Sequence, residues 1–162
     1  MAIKLKHNDT YSTYFITFTC VEWISLFEIT DTFDMVYKWF AVLKEQHNAD
    51  IVAYVIMPNH LHLIVHFHKE GFNLNTIIAN GKRFTAYEII NRLEITGDSV
   101  LLHHLESLVS AREKKKGQLH KVFIDSFDAK PIYSHKFLMQ KVNYIHNNPV
   151  SGKCLPASRS NV

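Results

Sequence analysis

The stretch Tyr54–Phe67 places the strongest constraint on the fold of this chain. It reads YVIMPNHLHLIVHF, with β-branched and apolar residues on both sides of the Pro58-Asn59 pair. Such a pattern predicts two strands joined by a tight turn. Side chains alternate between the two faces of a strand, so His60 and His62 share one face while the leucines beside them face a core. We therefore expect a hairpin that presents two imidazoles on its second strand.

Two imidazoles separated by one strand residue can hold a divalent metal ion. They offer neutral nitrogen ligands on a rigid element, which suits borderline metals and leaves other coordination positions open. Histidine also occurs on the polar face of amphipathic strands without binding a metal. The pair His60 and His62 alone is therefore a weak indication, and a second feature must support it.

The segment Lys141–Val150, which reads KVNYIHNNPV, supplies that second feature. Tyr144 and Asn148 are one helical turn apart, on the same face of a helix that Pro149 is expected to end. A tyrosine phenol can attack a phosphodiester and hold the cleaved strand covalently when a metal polarises the phosphate. The alternative is that Tyr144 is a half-buried helix aromatic and that the Asn-Asn-Pro run only caps and ends the helix.

The amide oxygen of Asn148 could complete a metal site with His60 and His62. It is a hard ligand, and its combination with two imidazoles is compatible with magnesium, manganese or zinc. The two segments together thus predict metal-dependent chemistry at a phosphate. A metal-activated water, with Tyr144 in a structural role, is an alternative nucleophile.

These residues resemble the motifs of a known family. PNHLHLI and YIHNNPV are similar to the HUH single-tyrosine transposases, particularly the REP-associated tyrosine transposases, which share a Pro-Asn/Asp-His-hydrophobic-His strand and a Tyr-Ile-x-x-Asn-Pro helix. The resemblance covers most of the chain, from about residue 14 to residue 150. It implies Tyr144 as the nucleophile and a metal held by His60, His62 and Asn148.

The resemblance also implies a function. It describes a metal-dependent single-stranded DNA endonuclease and strand transferase that works through a 5′-phosphotyrosine intermediate on hairpin-forming element ends. Magnesium or manganese is the expected cofactor, and zinc or nickel could replace it in a crystal. The stretch GKRFTAYEI resembles the Lys-x-Phe-Thr helix of the same branch. By position, the DNA contacts would then come from Lys82, Arg83, Phe84 and Thr85.

Two stretches depart from the family pattern. Val122–Ser134 reads VFIDSFDAKPIYS, where many relatives have a Trp-containing segment and an aromatic-Asp-His run. The stretch Ser151–Val162 lacks the aromatic and apolar continuation that the family pattern would give. Two other functions stay open: a replication initiator or relaxase-like nickase with the same chemistry, and a domesticated protein that binds single-stranded or hairpin DNA without cleaving it. The sequence also leaves open a monomer or a homodimer.

Composition limits the number of domains and the cellular compartment that we expect for this chain. The 162 residues are 47% hydrophobic and 20% charged, which predicts one catalytic domain over residues 1–150 and a flexible tail over residues 151–162. Cys20 and Cys154 match no metal-ligand spacing, which favours a reducing compartment. No segment reaches the roughly 20 apolar residues that cross a bilayer. We therefore expect a bacterial cytoplasmic protein with no membrane partner, associated with the nucleoid when it binds DNA.

Net charge is a poor guide to the partner of this chain. A formal charge of +3 is small for a non-specific nucleic-acid binder. The distribution is more informative, because Arg112 and the run Lys114–Lys116 form a basic cluster beside Gly117. That cluster is equally typical of a DNA contact and of a solvated loop.

The order of elements predicts an α+β fold. Strand, helix, strand, strand, helix, strand is the order of the ferredoxin-like split βαβ arrangement with an antiparallel sheet, and here an extra helical insertion precedes the last strand. The predicted strands are Tyr14–Val21, Asp50–Met57, Leu61–Phe67 and Val122–Asp125, and the predicted helices are Thr32–Gln46, Leu74–Leu93, Ile95–Gln118 and Ser134–Asn147.

Overall fold

The structure is a computed structural model that describes residues 11–151. The strands are β1 (Thr13–Thr19), β2 (Ala49–Ile56), β3 (His60–Phe67) and β4 (Asp128–Pro131). The α-helices are α1 (Leu26–Ile29), α2 (Phe33–His47), α3 (Leu74–Thr96), α4 (Ser99–Ser107), α5 (Ala111–Lys115) and α6 (His135–Ser151), and a short 3-10 turn covers Val21–Trp23.

The strands form one antiparallel sheet in the order β2-β3-β1-β4. This order, with α2 and α3 as the crossovers, is the ferredoxin-like split βαβ arrangement. The predicted fold class is therefore confirmed. Helices α4 and α5 lie between α3 and β4 in the chain, so the predicted helical insertion before the last strand is confirmed too.

The predicted position of the last strand is wrong. Val122–Asp125 contributes only an isolated bridge between Cys20 and Phe123, whereas β4 is formed by Asp128–Pro131. The apolar side chains of Val122 and Phe123 are buried in the core rather than extended along a ladder. β4 itself reads DAKP and buries only Ala129, so it carries little of the alternation that identifies a strand in sequence.

Local capping explains two other differences from the predicted helices. The stretch predicted as one helical segment, Ile95–Gln118, divides because Asp98 caps the start of α4 and Ser110 forms a capping box at α5. Helix α6 continues past Pro149 to Ser151, although Pro149 was expected to end it. Proline disfavours a helical conformation in the residue before it without forbidding it.

The sheet is covered on both faces, by different helices. Tyr14, Ile16 and Phe18 of β1 point into the large core that α2 and α3 complete. The opposite face carries a small second cluster in which Phe15 and Ile64 contact Ile145 of α6. Helix α6 is thus held against the face to which the alternation assigns His60 and His62.

Within residues 11–151, none of the helices combines the length and the apolar content that a bilayer crossing requires. The predicted tail over residues 151–162 lies, except for Ser151, outside the described residues, and so does Cys154.

Helices α2 and α3 meet at Gly81. A Cβ atom at this position would lie 2.4 Å from Cε2 and 2.6 Å from Nε1 of the Trp39 ring. Real Cβ atoms do not approach other heavy atoms this closely, so the indole ring would have to move. Trp39 also packs edge-to-face against Phe18, whose ring centroid is 5.9 Å away. Glycine at position 81 therefore sets the spacing between the two helices.

We predict that Gly81→Ala destabilises the protein by about 1–2 kcal/mol. Overpacking costs about 1–3 kcal/mol, and the rigid Trp39 ring places this site in the upper half of that range. The gain of about 1 kcal/mol that alanine has over glycine in a helix offsets part of this cost. Urea unfolding followed by circular dichroism measures the difference. The control is Asn75→Ala at an exposed position of the same helix, which should be nearly neutral. A Gly81→Ala variant as stable as that control would contradict the close approach of Trp39.

Candidate active site

His60 and His62 lie on the face of the sheet that α6 covers. In the β1–β3 ladder Thr17 lies opposite His62, and Thr19 lies opposite His60. Opposed residues in an antiparallel pair point to the same face. The alternation predicted from the sequence therefore places both imidazoles beside threonine hydroxyls, with their ring centroids 4.8 Å apart.

Each imidazole is oriented through its Nδ1 atom. His62 Nδ1 is 2.7 Å from Thr17 Oγ1, and His60 Nδ1 is 2.7 Å from Asn59 Oδ1. The Asn59 amide donates from Nδ2 to the carbonyl oxygen of Trp23 at 3.0 Å, so its Oδ1 is the atom that faces His60. Because a carbonyl oxygen can only accept, the proton of neutral His60 lies on Nδ1 and Nε2 keeps a lone pair.

The hydrogen bonds of the two histidines fit a metal site, but this part of the chain offers them few additional ligands. Histidines that bind metals donate their second ring nitrogen to a nearby oxygen, as His60 does to Asn59 and as His62 can to Thr17. Within residues 11–151, however, no three side chains drawn from His, Cys, Asp and Glu are grouped so that they could hold a metal ion. Further ligands would have to come from an amide, water or a substrate phosphate.

Burial keeps both imidazoles neutral. Desolvation lowers the pKa of His60 below its usual value. Desolvation, together with the nearby His60 and Lys141, lowers the pKa of His62 to about 4. Neutral imidazole is the form that binds a metal, so neither side chain has to lose a proton first at neutral pH.

Helix α6 brings Tyr144 to the histidines within a single chain. Ile145 is buried against Phe15 and Ile64, which holds this turn of the helix on the sheet. The Tyr144 ring lies edge-on to the His62 ring, with a centroid distance of 5.1 Å. Tyr144 is 47% exposed, and among the described residues its hydroxyl makes no hydrogen bond. The phenol is therefore both next to the imidazoles and accessible to a substrate.

Asn148 lies one turn after Tyr144 on the same helix and is half-buried. The spacing predicted from sequence thus puts its amide on the Tyr144 face of α6. Its role as a third ligand stays a prediction.

Sequence reasoning missed Lys141. Its Nζ lies 4.6 Å from the centroid of the Phe15 ring and 5.5 Å from that of Tyr144. Burial, followed by the charge of Lys130, lowers the pKa of Lys141, whereas the charge of Asp128 opposes the shift. The signal was present in the sequence, because Lys141 precedes Tyr144 by three residues and shares its helix face.

Sequence reasoning also missed Trp23. This side chain is 60% exposed, and its ring lies edge-on to His60 at 5.6 Å. Its backbone has a φ of 59°, a conformation that bulky residues rarely adopt. No sequence pattern predicts this contact, since Trp23 reaches His60 only through the turn after β1.

β4 adds two charged residues to the same face of the sheet. Asp128 lies opposite Thr17 and Lys130 opposite Phe15 in the β1–β4 ladder. The Asp128 carboxylate is 3.5 Å from the Lys130 ammonium. The structure thus places Asp128 in a strand two strands across the sheet from His62.

A second histidine pair lies at the end of β3, with His66 in the strand and His68 directly after it. His66 and His68 have ring centroids 4.7 Å apart, and His66 Nδ1 bonds to Thr13 Oγ1 at 2.8 Å. Ile64, which packs under α6, lies between this pair and the pair formed by His60 and His62. The two pairs are therefore separate.

The predicted group of DNA contacts on α3 is only partly exposed. Lys82 directs its Nζ at backbone carbonyls, with Ile124 at 2.6 Å and Asp125 at 3.3 Å, and burial lowers its pKa to about 8. Thr85 is buried and donates to the Gly81 carbonyl at 2.9 Å. In this structure the polar atoms of both residues bond to backbone carbonyls, and their assignment to DNA stays a prediction.

Arg83 and Phe84 remain exposed on α3 and stack on each other, with the guanidinium 5.1 Å from the ring centroid. Helix α3 packs on the face of the sheet opposite to the one that carries His62. Any contact that these two side chains make with DNA would therefore lie outside the histidine–tyrosine centre.

Comparison with solved structures identifies the fold. The structure of a REP-associated tyrosine transposase bound to a REP hairpin matches with a TM-score of 0.54 and 20% identity, over 89% of this chain and 72% of that one. A candidate transposase from Deinococcus radiodurans R1 matches with a TM-score of 0.47 and 15% identity, over 91% and 97% of the two chains. No protein-family model matches the sequence, and no curated protein matches it either. The first match shows a shared fold.

We predict that His62 makes the protein acid-sensitive. Its folded pKa of about 4 lies below the usual 6.5, so between these values the unfolded chain takes up a proton that the folded protein excludes. Stability should therefore fall as pH falls through this window. Urea unfolding of wild type and His62→Gln at about pH 7 and about pH 5, with a chelator present, measures the effect.

The variant should lose less stability than wild type over that interval. His103→Gln, at an exposed position of α4, controls for the loss of an imidazole and should keep the wild-type dependence. Equal losses in wild type and His62→Gln would show that His62 does not stay neutral in the folded state.

Proposed function

We propose that this protein is a metal-dependent single-stranded DNA endonuclease and strand transferase of the HUH single-tyrosine transposase type. The observation that carries the proposal is the contact of the Tyr144 ring with His62, at 5.1 Å within one chain. A nucleophile candidate and two oriented imidazoles therefore meet without a partner subunit. The fold shared with the REP-associated transposase supports the same conclusion.

The metal would be held by His60 Nε2, His62 and the Asn148 amide oxygen, with magnesium or manganese as the expected ion. When bound, it would withdraw charge from the non-bridging phosphate oxygens. The structure supports this ligand set through the Nδ1 bonds to Asn59 and Thr17, which leave the outward nitrogens available.

Tyr144 would carry the covalent step. Its oxygen attacks phosphorus and loses its proton to solvent, the P–O3′ bond breaks, and the strand is held as a 5′-phosphotyrosine with a free 3′-hydroxyl. Attack by a 3′-hydroxyl on that intermediate reverses the step and joins strands, so no nucleotide cofactor is consumed. The Lys141 ammonium, beside the phenol ring, would offset the negative charge of the phosphate and of the attacking oxygen.

Single-stranded DNA with hairpin-forming ends is the proposed substrate. The structural relative is bound to a REP hairpin, and we extend that substrate class to this chain. Arg83 and Phe84 would contact DNA outside the centre, through an exposed cation stacked on a ring.

We predict that Tyr144→Phe abolishes a covalent DNA adduct. Wild-type protein incubated with labelled single-stranded hairpin oligonucleotides and manganese should give a denaturant-resistant complex, because phosphotyrosine survives unfolding. The matched control is Tyr87→Phe, which removes the hydroxyl of an exposed tyrosine on α3 and should retain the adduct.

Two results would contradict the proposal. An adduct formed by Tyr144→Phe would remove Tyr144 from its role. Tight DNA binding by wild type with no adduct or cleavage under any divalent metal would instead favour the domesticated, non-catalytic binding protein.

We predict that the metal site depends on Thr17 but not on Thr13. Calorimetric titration with manganese should show no binding to His60→Ala or His62→Ala. Thr17→Val should weaken binding by about 10–100-fold, because it removes the oxygen that orients His62. Thr13→Val removes the equivalent partner of His66 and should leave the affinity unchanged. The reverse pattern would place the metal at His66 and His68.

A further inference from the structure

A row of aromatic and basic side chains runs from Tyr133, just before α6, along the first turns of that helix, and the proposed reaction gives no role to Tyr133 or Phe137. Tyr133 and Phe137 stack with their ring centroids 5.3 Å apart and an interplanar angle of 16°. Lys141 comes next, with its Nζ 5.3 Å from the Phe137 centroid and 5.5 Å from that of Tyr144. The four residues thus form a continuous line that ends at the phenol.

The geometry points to a binding site for a single strand: we propose that Tyr133, Phe137 and Lys141 hold the unpaired nucleotides next to the phosphate at Tyr144. This inference rests on the proposed function and specifies how its single-stranded substrate is bound. It assigns the open face of Tyr133 to a base, with Phe137 supporting that ring from the other side, and Lys141 to a phosphate. We call these three residues the aromatic track.

Exposure distinguishes the aromatic track from core packing. Tyr133 is 70% exposed, although its ring already covers Phe137 on one side. Its other side is therefore open to solvent. An aromatic pair that served only stability would bury both rings, because the gain from aromatic packing comes largely from removing area from water.

The chemistry of the row matches a single nucleic-acid strand. Unpaired bases stack on aromatic faces without regard to sequence, while ammonium groups hold the phosphates between them. Lys130 reinforces the cationic end, because it lies opposite Phe15 in the ladder and its charge acts on Lys141. Asp128 contacts Lys130 at 3.5 Å, so Lys141 is the cation of this group without an ion-pair partner among residues 11–148.

The position of Lys141 links the track to the reaction site. Its ammonium lies over Phe15 at 4.6 Å, and Phe15 stacks on His62 with centroids 5.5 Å apart. A phosphate bound by Lys141 would therefore lie beside the imidazoles rather than at a remote surface. A base stacked on Tyr133 would belong to a nucleotide close to the scissile one.

The test measures binding without cleavage. In a Tyr144→Phe background, fluorescence anisotropy follows a labelled oligothymidine of about 20 nucleotides and a blunt duplex of equal length. Tyr133→Leu should weaken binding to the single strand by about fivefold or more, the lower end of the loss of one stacked base. Tyr133→Phe keeps the ring and should restore the affinity. Duplex binding should not change, because its bases are already stacked.

Lys141→Gln tests the phosphate contact in the same assay. Binding should weaken, and the slope of log affinity against log salt should fall by about one phosphate contact. Lys141→Arg should restore both. A purely structural role for Lys141 would weaken binding without changing the salt slope.

Three outcomes would overturn the aromatic track: equal single-strand affinity in Tyr133→Leu and wild type, equal weakening on duplex, or an unchanged salt slope in Lys141→Gln. If Tyr133→Leu leaves the single-strand affinity unchanged but weakens binding to another protein, the exposed ring belongs to a protein interface. Failure of the proposed function is separate, because it appears as the absence of a wild-type adduct while the effects of Tyr133→Leu on binding persist.

Discussion

The pairing of β1 with β3 is the interaction on which the site depends. It places Thr17 opposite His62 and Phe15 opposite Ile64, so one register supplies both the hydroxyl that orients an imidazole and the apolar pair that receives α6. A shift of one residue would turn the histidines into the large core and Leu61 and Leu63 toward α6. The burial of those leucines therefore fixes the register, and the register fixes the position of the polar atoms.

Helix α6 completes the site with little burial of its own. Ile145 is its fully buried anchor, and partly buried residues around it, such as Val142 and Leu138, widen the contact. Tyr144 directly precedes Ile145 in the helix. Consecutive helix residues point in different directions, so the Tyr144 ring is turned toward His62 while Ile145 packs on the sheet. The small cluster positions the phenol, whereas the large core on the other face supplies most of the burial.

The sequence predicted the strands and helices whose side chains recur at a regular spacing. Alternation in β3 identified the histidine face, and helical spacing placed Asn148 beside Tyr144. β4 was misplaced because Asp128–Pro131 is short, edge-located and nearly devoid of buried residues. Trp23 was missed because its contact with His60 depends on a turn with positive φ, and no local pattern predicts that conformation.

Lys82 shows why a motif does not determine the role of each of its residues. Its helix position suggests an exposed cation, but the chain before β4 folds back and offers carbonyl oxygens of Ile124 and Asp125 to its ammonium. The hydrogen bonds to these carbonyls hold the Lys82 ammonium against the fold. The cation beside the phenol comes instead from Lys141, whose ammonium lies over the rings of Phe15, Phe137 and Tyr144 and forms no ion pair with the described part of the chain.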